Sequence, residues 1–379
     1  MNEEKSYDIA VIGGGLAGLS LSIQSAKAGY HVALFEKEKY PFHKVCGEYI
    51  SLESWNFLEE LGVPLSDWNL PIIKRLLISS PNGKYIENDL PLGGFGISRY
   101  KLDAALAEIA RSAGVHVFEQ TKVNEVSFDR NLSRLQLSTF SCTAKIVCGS
   151  FGKRSNLDIK WKRGFIQQMN NSLNNYMGVK YHIQTDFPCD LIALHNFSDG
   201  YCGISQIEEN KYCICYLTTS KNIRSNENSL KSMEKHILRK NPFLEAIFSS
   251  STFLIEPPIT ISQISFERKT QVEDHVLFIG DAAGMITPLC GNGMSMALHG
   301  SKIAFECIQP FLEQKIDRYE MEQYYTDRWN LQFSKRMRAG RMIQRFFGKE
   351  WLTNLLIRCL KPFPGLRRFL IRQTHGQPF

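Results

Sequence analysis

The chain has 379 residues, 43% of them hydrophobic and 22% charged, which excludes a disordered chain and leaves room for two or three structural units. The formal charge of +7 is unevenly placed: residues 335–379 hold eleven Lys/Arg against one acid, Glu350, so this stretch carries +10 and the first 334 residues −3. A near-neutral body with a basic end argues against a nucleic-acid partner, and no 18-residue apolar run is present to span a bilayer as a helix. The charged start Met1–Lys5 has no signal-peptide layout, and the ten cysteines form no Cys-x-x-Cys pair. The expectation is a cytoplasmic protein with reduced thiols. Cys213 and Cys215 alternate on one strand face, without a second ligand pair for a metal.

In chain order, residues 7–12 (Tyr-Asp-Ile-Ala-Val-Ile) read as a buried parallel strand, and Leu19–Ala28 as a helix. Between them lies Gly13-Gly14-Gly15-Leu16-Ala17-Gly18, and after them a second strand, His31–Phe35, ends at Glu36. This is G-x-G-x-x-G in its strand–turn–helix setting, followed by an acid. Gly13 and Gly15 permit a sharp turn and close approach of a pyrophosphate. Gly18 lets helix and strand pack closely, and the helix N-terminus offers free N–H groups to an anion. Glu36 suits the ribose hydroxyls of an adenosine and repels a 2′-phosphate; Leu16, Ala17 and Lys37 complete the nucleotide-side set. This motif alone does not separate NAD from FAD.

Residues 72–78 and 84–90 flank Pro81-Asn82-Gly83, a predicted hairpin. Ala104–Ala113 is predicted helical, 115–118 a return strand, and 123–128, 132–140 and 143–147 a small meander. Residues 176–183, 191–197, 201–207 and 211–218 read as antiparallel strands, followed by a charged helix over 229–240. His-Val-Leu-Phe-Ile-Gly-Asp-Ala-Ala-Gly (275–284) reads as a buried strand and a Gly-Asp turn. Pro288-Leu289-Cys290-Gly291-Asn292-Gly293 then leads into a small-residue helix, 294–304.

These two distant motifs, in this order, resemble the FAD-dependent oxidoreductases of the p-hydroxybenzoate hydroxylase and geranylgeranyl reductase superfamily. The resemblance implies an α/β (α+β) architecture: a Rossmann-like, GR2-type FAD-binding fold with an inserted antiparallel-sheet substrate domain and C-terminal helices. The FAD-binding domain is expected over 1–71, 98–160 and 271–310, the substrate domain over 72–97 and 161–270, and a basic helical region over 311–379. It also implies that Gly280 and Asp281 meet the flavin ribityl chain, and that Pro288, Gly291, Asn292, Gly293 and Met294 meet the pyrimidine edge. A helix dipole there stabilises the negative charge of reduced flavin.

Three more segments match. Pro41–Ser51, with Lys44, Cys46, Gly47 and Glu48, is similar to the Pro-x-x-Lys-x-Cys-Gly-Glu segment of the reductase-like branch and would pass near the flavin. Arg99 in Ser98–Asp103 is similar to an arginine that reaches the diphosphate region. Cys148–Ser155 stands where the family has Gly-Ala-Asp-Gly-x-x-Ser, with Phe151 in place of the aspartate. Cys46 is the first candidate for a catalytic role and Glu48 the second, while His43, His182, His195 and His299 read as isolated structural histidines. Only one G-x-G-x-x-G occurs, so NAD(P)H is expected as a transient electron donor without a domain of its own.

Two reactions stay open. One is reduction of a hydrophobic, isoprenoid- or polyketide-like molecule by hydride transfer at flavin N5. The other is hydroxylation of an aromatic or polyketide substrate by a flavin C4a-hydroperoxide. The family's Tyr-x-Trp-x-Phe-Pro strand is not intact here: Gly203 in Tyr201–Ser205 replaces its tryptophan and would open the cavity over the flavin. The Trp-x-Trp-x-Ile-Pro signature of the halogenases is absent, and a non-catalytic carrier is a third class. Finally, residues 341–360 place apolar side chains at three- and four-residue spacings among Arg341, Arg345, Lys349 and Arg358, and 366–372 repeats the pattern. This basic stretch reads either as a helical lid with solvated arginines or as a peripheral element on an anionic membrane's inner face.

Overall fold

The computed structural model describes residues 5–167, 176–286, 291–344, 349–374 and 376–379. The chain opens with β1 (Lys5–Ile12), α1 (Leu16–Lys27) and β2 (Val32–Phe35), then β3 (Tyr49–Ser51), α2 (Trp55–Leu61) and the hairpin β4 (Ile72–Ser79)–β5 (Tyr85–Gly96). It continues through α3 (Arg99–Ser112), β6 (His116–Phe118), β7 (Val123–Asp129), β8 (Leu132–Leu137), β9 (Ser141–Gly149), α4 (Asn156–Lys160) and α5 (Gly164–Gln167). Four long strands follow: β10 (Tyr176–Gln184), β11 (Leu191–Phe197), β12 (Gly200–Gln206) and β13 (Tyr212–Thr219). Helices α6 (Ser220–Arg224), α7 (Leu230–His236) and α8 (Pro242–Ser250) lead to β14 (Thr252–Phe253), β15 (Ile259–Ile264), β16 (Val272–Glu273) and β17 (Val276–Phe278). The last elements are α9 (Gly293–Leu312), α10 (Arg318–Gln344), α11 (Glu350–Leu360) and α12 (Pro364–Thr374).

One sheet runs β16-β17-β9-β1-β2-β6, with all neighbours from β17 to β6 parallel. Buried on both faces, β2, β17 and the later parts of β1 and β9 are apolar without alternation, which is why β1 and β2 were legible as short hydrophobic runs. β1 lies at the topological switch point, between β2 and β9, the place where open α/β sheets bind ligands at their carboxyl ends. The third meander strand differs from expectation. β9 pairs with β8 at its start, but its main partner is β1, over Lys5–Ile12, so it forms part of the central sheet.

The second sheet runs β14-β10-β13-β12-β11-β4-β5-β3, with β15 beside β10. It is not wholly antiparallel, as the strand pattern suggested: β11 pairs with β4 in parallel, Leu191 opposite Arg75 and His195 opposite Ser79. Period-two alternation divides its faces. Val179, Tyr181, Ile183, Tyr212, Ile214 and Tyr216 pack against α7 and α8 through Met233, Leu238, Leu244 and Ile247. The intervening residues, Lys180, His182, Cys213 and Cys215 among them, face the other way, towards the first sheet's ligand edge. The expected helix over 229–240 stops at His236, and a short 3₁₀ turn completes it.

The basic end is not a separable tail. α10 spans the point at which the basic composition begins, and its buried stripe Met321, Tyr325, Trp329, Phe333, Met337 recurs every four residues against the FAD-binding core. Residues 341–360 are likewise not one helix: 341–344 end α10 and 350–360 form α11.

Candidate functional site: a nucleotide turn and a flavin turn at one sheet edge

The carboxyl ends of β1, β2, β9 and β17 deliver Gly13, Glu36, Ser150 and Gly280 to the same edge. Gly13 has φ +105, and a Cβ there would lie 2.6 Å from the Ser150 carbonyl oxygen. Ser150 N donates to Ile12 O at 2.8 Å, and its hydroxyl donates to Gly13 O, so β9 is stitched to the turn. A Cβ on Gly18 would collide with Gly13 O and Ser150 Oγ, which identifies the close helix–strand contact expected of this glycine. Leu16 and Ala17 are buried within α1.

Gly15 is different, because the space in front of it is bounded by charge. A Cβ there would meet Arg99 Nη2 at 3.5 Å and Lys44 Nζ at 3.6 Å. Gly15 also caps α1 without any side-chain hydrogen bond, leaving the helix N-terminus open. Two cations and free N–H groups around a glycine form a cradle that fits a diphosphate. Both cations are held from behind by Asp103, through Arg99 Nε (2.7 Å) and Lys44 Nζ (3.2 Å). Burial opposes ionisation of Asp103, but Arg99 and Lys44 outweigh it and keep its carboxyl below the usual range.

Glu36 is buried and accepts from Gly14 N at 2.8 Å and Glu38 N at 3.1 Å. Tyr40 Oη, donating to Gly14 O at 2.5 Å, fixes the far side of the turn. Lys37 points elsewhere: it is solvent-exposed and pairs with Glu38.

The turn expected to meet the flavin is built at the end of β17. Gly280 (φ +59) packs onto Ala17, joining the two motifs, and Asp281 is partly exposed beside it. Several side chains hold this turn. Tyr325 Oη donates to Phe278 O at 2.5 Å, and Trp329 lies against Gly284, where a Cβ would come within 2.8 Å of its ring. Arg163 is fully buried, stacks on Phe278, pairs with Asp158 at 2.9 Å and donates to Ala282 O at 3.1 Å. Lys269 Nζ bridges Asp281 O (2.9 Å) and Lys153 O (2.8 Å); burial pushes this amine down to about 8 despite Asp158 and Asp281. Phe151, in place of the family aspartate, packs on Phe278 and Trp161.

Gly291 has φ +65 and lies against the Tyr49 ring. Asn292 is the N-cap of α9, with no side-chain cap bond among the described residues, and Gly293 and Met294 lie in the helix's first turn. Pro288, expected here, lies outside the described residues.

Cys46, Gly47 and Glu48 cross over the inner face of the second sheet. Cys46 is half-buried, and Cys213 Sγ donates to its carbonyl at 3.3 Å. Gly47 is exposed, and its carbonyl accepts from Ser205 Oγ at 3.4 Å. Glu48 is fully buried at φ 56 and ion-paired with Lys180. It also accepts from Arg99 N at 2.8 Å and meets His182 Nε2 at 2.6 Å. Burial opposes its ionisation, yet Lys180 and His182 hold it down at about 2. With both oxygens occupied inside the protein, Glu48 is an anchor between the cysteine loop, α3 and β10, and this geometry gives it a positioning role in place of acid–base chemistry. His182 is therefore not isolated, and His43 stands edge-on to it at 5.2 Å. Glu48, His182 and Cys213 bring three metal-ligand atoms within 4.8 Å. The Lys180 ammonium already neutralises the carboxylate, which makes the group an ion-pair network.

Lys180, His182, Asp103, Arg163 and Tyr325 were missed by sequence reasoning. Arg99 and Asp103, four apart on one helix, were a usable signal; in β10 the alternation of polar and apolar residues marked a strand but not what its polar face meets.

Acid is expected to weaken the fold in two stages. Burial pushes His43, His195 and His299 down to about 4, 3 and 4 from 6.5, with Lys180 contributing at His43 and Arg336 at His299. Below pH 6.5 the unfolded chain takes protons that the folded chain refuses, so stability falls from there towards about pH 4. Glu48 adds stability that is full above 4.5 and lost as pH falls towards 2. Thermal melts should show Tm falling already between about pH 6.5 and 4.5; a flat Tm in that window would rule out buried neutral histidines.

Residues 8–43 match the family model described as FAD binding domain, and residues 213–350 match that of squalene epoxidase. Together with the fold and the two turns, this identifies a FAD-dependent oxidoreductase, similar to the p-hydroxybenzoate hydroxylase and geranylgeranyl reductase superfamily. Among individual proteins, it is similar to conditioned medium factor receptor 1 of Dictyostelium discoideum, 26% identical over 91% of this chain and 72% of that protein. Digeranylgeranylglycerophospholipid reductase 2 of Methanopyrus kandleri is 24% identical over 90% of this chain and 87% of its own length. Among solved structures, a geranylgeranyl bacteriochlorophyll reductase-like protein of Thermoplasma acidophilum superposes with TM-score 0.79 at 18% identity, covering 99% of this chain and 97% of that one. The flavin-dependent brominase Bmp2 also gives 0.79 at 18% identity, over 98% and 93%.

Proposed function

We propose that this oxidoreductase reduces a hydrophobic, isoprenoid- or polyketide-like molecule. The observation that carries the reading is an apolar cluster on the inner face of the second sheet. Leu194, Tyr201, Leu217, Ile264 and Phe266 pack there with Met285, the residue that follows the flavin turn. A ring held at Asp281 would thus border apolar side chains that exclude water. Bound FAD supplies a hydride at N5, and its electrons come from NAD(P)H or another two-electron donor. The chain's own residues do the rest. Gly13–Gly18, Arg99 and Lys44 would hold the diphosphate, and Glu36 the adenosine ribose. Asp281 would accept from the ribityl hydroxyls, and the N-terminus of α9 at Gly291–Met294 would steady negative charge on the ring. Cys46, half-buried where its loop meets Cys213 of this sheet, is the side chain we assign to touch substrate.

The relatives named as digeranylgeranylglycerophospholipid reductases support this reading. The squalene epoxidase match over 213–350 favours a second, oxygen-inserting reading. Anaerobic incubation of reduced enzyme with a polyprenyl substrate separates them. Reoxidation of the flavin with saturation of the substrate supports reduction; substrate-coupled oxygen uptake without anaerobic turnover overturns it.

Gly203 tests the cavity. A Cβ there would sit at ordinary contact, 3.5 Å from Leu194 and 3.6 Å from Cys215 O, so a larger side chain can enter this face without breaking the strand. Gly203→Trp is expected to retain FAD while lowering kcat/KM at least about tenfold, a loss of about 1.4 kcal/mol or more in transition-state binding. Unchanged kinetics would place the substrate elsewhere.

A further inference from the structure

We propose that α11 and α12 form a lid that docks on an anionic phospholipid bilayer. Each helix has two apolar faces. The inner ones face the body: Ile357 and Leu360 are buried with Ile78 and Ile86 of the hairpin, and Ile371, half-buried, lies with Tyr49, Ile73 and Leu90. The outer ones, with Phe363 at the join between the helices, are exposed: Trp351 is 67% exposed, Phe363 59%, Phe369 56%, Leu355 50% and Leu366 47%. Trp351 and Leu355 are one turn apart, and Phe363, Leu366 and Phe369 follow at spacings of three, so each set forms a stripe.

A soluble surface rarely gathers so many large apolar side chains. The charge around them selects the occupant. Lys349, Arg358, Lys361 and Arg368 are all exposed among the stripes, against one exposed acid, Glu350. Aromatic residues interleaved with cations suit the headgroup region of an anionic membrane, where rings sit at the acyl boundary and cations at phosphates. A second copy of the chain would bring the same positive charge to the contact and be repelled. The lid also lies over the site, since Ile371 touches the Tyr49 cluster and Tyr49 lies against Gly291. A docked lid would admit an apolar substrate from the bilayer without passage through water. This last step rests on the reductase reading; docking itself does not.

The test uses the full FAD-loaded chain and sedimentation with vesicles of phosphatidylcholine alone or with added phosphatidylglycerol. Partition into the anionic vesicles is expected, weakening with salt. Each lost cation near such a surface costs about fivefold in binding, so R358E/K361E/R368E, which also adds three repelled carboxylates, should lose at least about a hundredfold. W351S/F363S/F369S should also release the protein at low salt. FAD content stays unchanged in both, because none of these residues touches the cofactor turns. Absence of partition by the parent protein, or unaltered partition of the charge-reversal variant, overturns the proposal. So does a variant whose effect is loss of self-association in sedimentation velocity without vesicles. Vesicle binding without substrate reduction would leave docking standing and remove only the reductase reading.

Discussion

Replacing Gly18 with alanine is expected to abolish FAD retention. The added methyl group would meet Gly13 O and Ser150 Oγ far inside van der Waals contact, and Val11 Cγ1 at 3.1 Å. The first two obstacles belong to the nucleotide turn and to the serine that ties it to β9. Neither can yield without opening the cradle in front of Gly15. Overpacking of this kind costs about 1–3 kcal/mol in fold stability, and the larger effect falls on the ligand, because the diphosphate needs the turn in one shape. The expected result is protein that purifies colourless and gains flavin only at concentrations at least about a hundredfold higher, roughly 2.7 kcal/mol in affinity. Gly365→Ala is the control: nothing lies within 4 Å of its Cβ position, and it should remain yellow. A yellow Gly18→Ala protein with parental affinity would contradict the packing described at the head of α1.

Lys180→Met should be the most damaging single change in the second sheet. It leaves Glu48 buried and ionised with only His182 and one backbone N–H in place of its main counter-ion. Removing one partner of a buried pair costs about 3–5 kcal/mol, whereas removing both can be close to neutral. Lys180→Met/Glu48→Gln should therefore recover at least half of the lost stability, and a denaturant-based double-mutant cycle would measure the coupling. Additive losses would mean that the two charges do not sense each other. Glu48→Gln alone should lower turnover more than FAD affinity, since Glu48 fixes the Cys46 loop over the sheet.

The nucleotide half of the site was legible because glycines mark backbone contacts directly. Gly13, Gly15 and Gly18 each have a geometric reason that residue spacing encodes. The flavin turn was legible for the same reason, through Gly280, Asp281 and Gly284. What could not be read were the side chains that hold these turns from a distance. Arg163 reaches Ala282 from a segment more than a hundred residues earlier, and Tyr325 and Trp329 do so from a helix whose composition is mostly polar. In β10 the sequence pattern of charge alternating with hydrophobic residues is the same for a solvated face and for a face covered by another domain segment. Only the placement of Glu48 opposite Lys180 and His182 tells them apart. Composition likewise gave no sign that α10, which leads into the basic end, buries five large side chains in the core.

The parallel join between β4 and β11 has a consequence for synthesis. Arg75 pairs with Leu191, so the hairpin carries an open strand edge until the chain has grown by more than a hundred residues. At about 5–20 residues per second on the ribosome, that edge waits roughly 6–23 seconds for its neighbour. Its outer strand carries Lys74 and Arg75, charges that discourage a wrong strand from adding there. Arg75 later folds onto Asp190, the residue just before the arriving strand, through a two-pronged ion pair at 2.6 and 2.8 Å. The residue that guards the nascent edge is thus also the one that receives its proper partner.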